Sequence, residues 1–191
     1  MDREILHIID AIKSAECTTW AFDMIIERYS EQLYWHIRRI VVVREECEDV
    51  LQDTFVRAFM QAQSFRGRSE GELVAWLYKI ATTMAIKSLK RRRRTIFTSV
   101  DSLAGELIAD FESQVALDAD SVAIRLQRAV IALPMKQKLV FNMRYYDNMS
   151  FGDISKATGQ SISTLKTNYH YAVKHIKESV QEVDYEQIRW N

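Results

Sequence analysis

The chain has 191 residues, of which 48% are hydrophobic, with only one proline and five glycines. This composition excludes a disordered chain and a protein rich in strands and tight turns, and apolar residues spaced three and four apart favour an all-helical fold. No run of about 18 apolar residues occurs, and residues 1–10 lack the basic start and apolar middle of a secretion signal, so we expect a cytoplasmic protein.

The cysteines and histidines indicate neither a metal site nor a catalytic site. Cys17 and Cys47 form no CxxC pair and have no histidine at ligand spacing, which predicts two reduced, structural thiols. The four histidines are scattered, and no phosphate-binding loop, serine-hydrolase or zinc-protease motif occurs. We therefore expect no catalytic residue, no metal and no cofactor, and a protein that is not an enzyme.

The charges are segregated along the chain although the formal net charge is zero. Residues 1–94 carry a net charge of +2, residues 95–120 carry −6, residues 121–178 carry +6 and the remainder carries −2. Two basic-leaning blocks thus flank an acidic connector. Basic blocks are typical of nucleic-acid partners, and the acidic segment has the composition of a linker.

Four helices are predicted before the acidic segment. The first has an isoleucine stripe, the second begins at Thr18 as a cap, the third begins near Glu45, and the fourth follows the loop 64–71 and ends near Arg94. Their apolar stripes are Ile5, Ile8, Ile9 and Ile12; Phe22, Ile25, Ile26, Tyr29, Leu33 and Ile37; Leu51, Phe55, Phe59 and Ala62; and Leu73, Leu77, Ile80 and Met84. The polar side of the third helix carries Glu45, Glu48, Asp49, Gln52 and Asp53.

After the linker, helices are predicted over 122–133 and 136–146, separated by Pro134, followed by two short helices that end near Val180. The predicted organisation is a helical domain at 1–94, a flexible acidic linker at 95–120, a second helical domain at 121–180 and a tail at 181–191.

The second domain contains a helix-turn-helix pattern. Ser150 and Asp153 have capping-box spacing, Gly159 can supply the left-handed turn after a short helix, and Ser161 can cap the next helix. That helix would bury Leu165, Tyr169, Ala172 and Ile176. The alternative is a helical hairpin with a solvated polar face. The second helix of such a motif lies in the DNA major groove, and its candidate DNA-contacting residues are Thr164, Lys166, Thr167, Asn168, His170, Tyr171 and Lys174.

The two halves together resemble a known family. Residues 46–58 (ECEDVLQDTFVRA), 64–67 (SFRG), 75–81 (AWLYKIA) and the arginine run at 91–94 are similar to sigma region 2, and residues 132–134 (ALP), 150–151 (SF) and 164–167 (TLKT) are similar to sigma region 4. The order and spacing resemble those of extracytoplasmic-function (ECF, group IV) sigma factors of the sigma-70 family of bacterial RNA polymerase. The chain departs from that pattern in a longer loop between Gly67 and Trp76, in Thr82-Thr83 where a basic-Asn pair is common, and in Asn168 and Tyr171 where arginines are frequent.

The resemblance implies two domains with separate tasks. The acidic face Glu48, Asp49, Gln52 and Asp53 would bind core RNA polymerase at the β′ clamp helices, although a merely solvated helix face is the alternative. The minus-10 promoter element would contact Phe65, Arg66, Arg68, Lys79, Thr83, Lys87, Lys90 and Arg91, with Trp76 in the core. The arginine run would contact phosphates, unless it is only a solvated helix end.

The function predicted by the resemblance is that of an alternative sigma factor that binds core polymerase and directs promoter-specific transcription initiation. Region 2 would read the minus-10 element and region 4 the minus-35 element. The partners implied are core polymerase, through the β′ clamp helices and the β flap, promoter DNA, and an anti-sigma factor, often a membrane-bound one in the family. The alternative is a two-domain helix-turn-helix regulator that acts at an operator without polymerase.

Overall fold

A computed structural model describes residues 3–14, 19–41, 43–95 and 122–188. The described residues contain helices and no strand, which confirms the predicted all-α class. The helices are α1 (Arg3–Lys13), α2 (Thr19–Arg38), α3 (Arg44–Gln61), α4 (Glu70–Thr95), α5 (Val122–Ala132), α6 (Met135–Tyr145), α7 (Phe151–Thr158) and α8 (Ile162–Ile188), with a short 3₁₀ helix at Ala62–Ser64. The predictions for Thr18, Cys17 and the acidic linker lie outside the described residues.

The N-terminal unit is a bundle in which α1, α2 and α3 pack with α4. The predicted isoleucine stripe of α1 is confirmed, since all four side chains are at most 1% exposed. In α2, Phe22, Ile25, Tyr29, Leu33 and Ile37 are buried as predicted. Tyr29 also donates a hydrogen bond to Glu70 Oε1 (3.0 Å), which joins α2 to the first turn of α4.

Two residues predicted to lie in the core are on the surface instead. Ile26 is 40% exposed and Phe59 is 49% exposed. The core side of α3 consists of Cys47, Val50, Thr54, Phe55 and Ala58. Most of these inward residues are small, and α3 packs with them against both α2 and α4. Thr54 tolerates burial because its hydroxyl donates to Val50 O (2.7 Å) within the helix.

The C-terminal unit comprises α5 to α8 and contains the predicted turn signals at the predicted places. Pro134 separates α5 from α6, and Gly159 ends α7 in the left-handed conformation with φ 73°. The helix α8 was predicted to end near Val180, but its backbone continues to Ile188. No glycine or proline follows Gly159 in the sequence, so no residue there disfavours continuation of the helix.

The two units pack against each other. Helix α7 lies along α4, and residues of the C-terminal unit, including Leu139, Met143, Ile154 and Leu165, belong to the same apolar core as the first unit. A smaller second core lies inside the C-terminal unit and consists of Ala129, Val130, Leu133, Phe141, Ala172 and Ile176.

Candidate functional site

The acidic face of α3 is exposed to solvent as the sequence predicts. Glu48, Asp49, Gln52 and Asp53 are all exposed. Glu48 lies 3.6 Å from Arg44 Nε one helical turn earlier, and both side chains are well solvated, so this ion pair contributes little to stability. The face is therefore available to a partner.

Next to this acidic face lies an apolar groove between α2 and α3. It has a volume of about 530 Å³. Its apolar lining residues are Phe22, Ile26, Leu51, Phe55, Val56 and Phe59, and its polar ones are Thr19, Asp23, Ser30, Glu48 and Gln52. The structure thus divides the four predicted residues, because Glu48 and Gln52 line the groove while Asp49 and Asp53 lie outside it.

Reasoning from one helical stripe missed the groove. Ile26 and Phe59 were assigned to the core, and Val56 lies on the side of α3 assigned to polar residues. The signal that could have revealed it is the width of the apolar arc on α3. Leu51, Phe55, Val56, Phe59 and Met60 together cover more of the helix than a single packed neighbour needs.

The loop between α3 and α4 corrects one predicted DNA contact. Phe65 is only 4% exposed, and its ring centroid lies 4.9 Å from that of Trp76. A Cβ atom on Gly67 would collide with the Phe65 ring, so the glycine is needed where the loop crosses this side chain. Phe65 is therefore a core residue rather than a base-contacting one, because its ring is buried beneath the loop, in the apolar core. Trp76 is half-buried against the same core, as predicted.

The polar residues predicted for the minus-10 element lie on one solvent-facing stripe. Arg66 and Arg68 are exposed in the loop, and Lys79, Thr83, Lys87, Lys90 and Arg91 are exposed along α4. Two of them are constrained by local bonds. Arg66 donates to the carbonyl oxygens of Gln63 and Phe65, and the Thr83 hydroxyl donates to Lys79 O (2.7 Å). The stripe therefore presents mainly cationic groups.

Among the described side chains of the arginine run, Arg91 and Arg92 lie in different environments, and the side chains of Arg93 and Arg94 lie outside the described residues. Arg92 Nη1 donates to Glu46 Oε1 (2.9 Å), and the Arg92 side chain is only 16% exposed. The Ser88 hydroxyl donates to the other carboxylate oxygen of Glu46 (3.4 Å). Arg92 thus fixes the start of α3 to the end of α4, whereas Lys87, Lys90 and Arg91 face solvent.

The helix-turn-helix is built by the caps that the sequence predicts. Ser150 Oγ accepts a hydrogen bond from the Asp153 amide (3.1 Å), and Ser161 Oγ accepts one from the Thr164 amide (3.2 Å). Leu165, Ala172 and Ile176 are buried and Tyr169 is half-buried, as predicted. The candidate DNA-contacting residues Thr164, Lys166, Thr167, His170, Tyr171 and Lys174 are exposed, and Asn168 is half-buried.

Comparison with known proteins assigns both units. The family models for sigma-70 region 2 and sigma-70 region 4 match residues 25–95 and 123–176. The chain belongs to the sigma-70 family. It is an alternative sigma factor of the extracytoplasmic-function type, which directs transcription initiation, and its family assignment, predicted from the motifs, is confirmed. The region 2 match argues against a regulator that acts at an operator without polymerase.

Several known sigma factors are similar to this one over most of their length. The ECF RNA polymerase sigma factor SigW of Bacillus subtilis is 24% identical over 171 residues, which cover 85% of this chain and 90% of that protein. The ECF RNA polymerase sigma-E factor of Escherichia coli is 27% identical over 172 residues, covering 84% and 87%. The sigma factor RpoE of Bartonella quintana, solved in complex with the anti-sigma factor NepR, has a similar fold with a TM-score of 0.63 at 18% identity, covering 84% and 96%.

Region 2 of the sigma factor thus comprises α2 to α4 and region 4 comprises α5 to α8. None of the helices in the described ranges is long and apolar enough to cross a membrane. Within those ranges no group of three or more His, Cys, Asp or Glu side chains could hold a metal ion.

Proposed function

We propose that the sigma factor binds core RNA polymerase through the groove between α2 and α3 and its acidic border, and that it then contacts one promoter with two separate surfaces. The stripe on α4 and its preceding loop would contact the minus-10 element, and the exposed face of α8 would contact the minus-35 element. The observation that carries the proposal is the groove itself, an apolar surface placed directly beside exposed carboxylates.

The chemistry of the groove fits an amphipathic helix with a basic border. Apolar residues on two adjacent helices form the concave surface that such a helix fills with its own apolar stripe. Glu48 and Asp23 at the lining, with Asp49 and Asp53 nearby on α3, favour a partner that carries Lys or Arg next to that stripe. The family resemblance implies that the β′ clamp helices would be this partner.

The α4 stripe fits a single strand of DNA. Arg66, Arg68, Lys79, Lys87 and Lys90 supply the positive charge that follows a phosphate backbone. Because Phe65 is buried, base capture would depend on the polar groups of the loop and on Thr83 rather than on stacking with that ring.

The α8 face fits the major groove of duplex DNA. Its exposed hydroxyl, amine and imidazole groups are donors and acceptors suited to base edges and phosphates. Asn168, which is half-buried, and Tyr171, which is 47% exposed, differ from the arginines frequent at these positions, so we expect a minus-35 preference different from that of arginine-bearing relatives.

The same proposal includes the remaining properties predicted from the sequence. The protein would act in the cytoplasm and would catalyse no reaction, since polymerase supplies the chemistry. Region 4 would contact the β flap. An anti-sigma factor would hold the protein inactive, as suggested by the RpoE relative whose structure was solved with NepR.

Run-off transcription with core polymerase on genomic fragments tests the proposal. The wild-type protein should start RNA at defined sites, and the double variant Asp49→Lys with Gln52→Ala should lose at least tenfold in core affinity while its circular dichroism spectrum and melting temperature stay unchanged. The matched control is Glu27→Lys, a charge reversal at an exposed position of α2 outside the groove lining. Undiminished core affinity in the double variant, or equal losses in both variants, would contradict the docking surface.

A further inference from the structure

A hydrogen-bonded ion pair inside region 2 joins the helix that carries the acidic face to the helix that carries the cationic stripe. Glu46, in the first turn of α3, accepts a hydrogen bond from Arg92 Nη1 on one carboxylate oxygen (2.9 Å) and one from the Ser88 hydroxyl on the other (3.4 Å). Ser88 is buried and the Arg92 side chain is 16% exposed, so the contact is shielded from water on the α4 side. We call Glu46, Ser88 and Arg92 the Glu46 bridge.

The bridge lies where an ion pair is more favourable than on an open surface. Glu46 is at the N-terminal end of α3 and Arg92 is three residues before the end of α4, so each charge is near a helix terminus of opposite partial charge. The Glu46 side chain is 27% exposed, and a partly shielded, hydrogen-bonded charge pair is screened by salt less than a fully solvated one. The bridge therefore holds the two helix ends together at the salt concentrations of a DNA-binding assay.

The end of α4 needs such an attachment because its own charges oppose helix formation. Six of the eight residues 87–94 are Lys or Arg. Residues three and four positions apart are neighbours on a helix, so Lys87 lies next to Lys90 and Arg91, and like charges at this spacing destabilise a helix. Leu89 is the last buried side chain among the α4 residues whose side chains the structure describes. Beyond Leu89, the Arg92 side chain adds a further attachment of α4 to α3.

The bridge and the exposed cations lie on different sides of the same turns of α4. Ser88 and Arg92 are four positions apart and therefore share one face, which is turned toward α3. Lys87, Lys90 and Arg91 are exposed. Fixing the first face therefore fixes where these three cations lie relative to one another and to α3.

The surroundings of Arg92 disfavour the direct phosphate contact that the family resemblance implies for the whole arginine run. A guanidinium bound to a carboxylate has much of its charge offset, so it attracts a phosphate less than a free one does. Turning Arg92 toward DNA would also leave Glu46 unpaired beside the same cationic surface, with the loss of the ion pair. The bonds of Arg92 thus hold it to α3.

We propose that Glu46 is a positioning residue for promoter DNA. This acidic side chain contacts no nucleic acid but strengthens DNA binding, because it keeps the last turns of α4 helical and at a fixed position relative to the acidic face of α3. The step rests on the proposed contact between the α4 stripe and the minus-10 element. It adds that the helix proposed to bind polymerase also sets the position of the cations that follow the DNA backbone.

The proposal predicts a change of opposite sign to the one that long-range electrostatics gives. Glu46→Ala removes a negative charge close to the cationic stripe and removes no cation, so charge attraction alone would strengthen DNA binding. Loss of the bridge should instead weaken binding, because the cations at the end of α4 are no longer held in one arrangement. The matched control is Glu45→Ala, which removes the neighbouring exposed carboxylate of the same first turn and changes the net charge equally.

Fluorescence anisotropy measures this effect with holoenzyme and a labelled promoter fragment whose minus-10 segment is already unpaired, taken from a start site that the wild-type protein uses. Glu46→Ala should weaken binding roughly fivefold, which is what loss of one hydrogen bond of ordinary net strength gives. Glu45→Ala should bind as tightly as wild type or more tightly, and both variants should keep the wild-type affinity for core polymerase. Binding by folded Glu46→Ala that equals or exceeds that of wild type would overturn the proposal.

A double-mutant cycle distinguishes positioning from direct phosphate contact. Arg92→Ala should weaken binding of the same fragment in the wild-type background and should have little further effect in the Glu46→Ala background, since the bridge is already lost there. A direct contact would instead lower the affinity by the same factor in both backgrounds, and that additive result would refute the positioning role.

Hydrogen exchange of the free full-length protein tests the bridge without DNA. Amides of residues 88–95 should exchange faster in Glu46→Ala than in wild type and in Glu45→Ala, while those of residues 73–85 should be unchanged. Equal exchange of residues 88–95 in folded Glu46→Ala would overturn the bridge. Glu46→Gln, which keeps one acceptor oxygen but loses the charge, should act in the same direction and decides the question if Glu46→Ala does not fold.

The variant Lys87→Gln separates failure of this proposal from failure of the proposed function. If Lys87→Gln weakens binding of the fragment and folded Glu46→Ala does not, the α4 stripe contacts DNA but Glu46 does not position it. If Lys87→Gln binds as tightly as wild type, the proposed contact between α4 and the minus-10 element is refuted, and faster exchange in Glu46→Ala then shows a role in stability alone.

Discussion

Truncation of Phe59 to alanine is the sharpest test of the groove. Phe59 lines the groove and is 49% exposed. Aromatic side chains bury about 150–250 Å² when fully covered, so roughly 100 Å² of this one is left for a partner. At about 25 cal/mol per Å², full coverage of that area contributes up to about 2.5 kcal/mol, which corresponds to a 50- to 100-fold loss of affinity for core polymerase in Phe59→Ala.

The Phe59→Ala change has a smaller, separable effect on folding. The Phe59 ring packs edge-on against Phe22 with the centroids 5.0 Å apart, so we expect the free energy of unfolding to fall by about 1–2 kcal/mol in the variant. Urea denaturation measures this loss, and fluorescence anisotropy with labelled core polymerase measures the affinity below the temperature at which the variant begins to unfold.

Met60→Ala is the matched control for the groove. Met60 follows Phe59 on α3, is 79% exposed and does not line the groove. The exposed fraction of Met60 is larger than that of Phe59. A partner that recognises only general surface hydrophobicity would therefore lose affinity in both variants. Equal losses of affinity in the two variants, or no loss in Phe59→Ala, would refute the reasoning.

Three further outcomes are expected. Gly159→Ala should lower the free energy of unfolding by about 1–2 kcal/mol because φ is 73° at this residue. Gly71→Ala is the control, since it lies within α4 and no atom would be closer than 3.9 Å to the added Cβ, so it should not destabilise the protein. Thermal melts compare the two variants. Lys87→Gln should reduce the slope of log affinity against log salt for single-stranded DNA by about 0.7, as read from a salt titration. Burial, and secondarily the charge of Asp147, raises the pKa of Tyr78. In the unfolded chain Tyr78 loses its proton at a lower pH than in the folded protein. The stability linked to Tyr78 is therefore complete below about pH 10, and the free energy of unfolding measured by urea denaturation should fall above that pH.

Local signals predicted the elements well. The four isoleucines of α1 repeat at helical spacing, and Ser150, Gly159 and Ser161 lie where a helix-turn-helix needs two caps and one left-handed residue. Each cap, and each step from one isoleucine to the next, involves residues at most four positions apart, so a short stretch of sequence is enough to predict it.

Features that depend on distant partners could not be found in that way. A prediction that gives each helix a single apolar stripe assigns Ile26 and Phe59 to the core. In the structure α3 packs against α2 and α4, and part of its apolar arc, including Phe59, stays uncovered. Phe65 looked like a base-contacting ring because nothing local shows that it folds beneath Gly67. The pairing of Asp147 with His36 joins residues 111 positions apart and has no sequence signature.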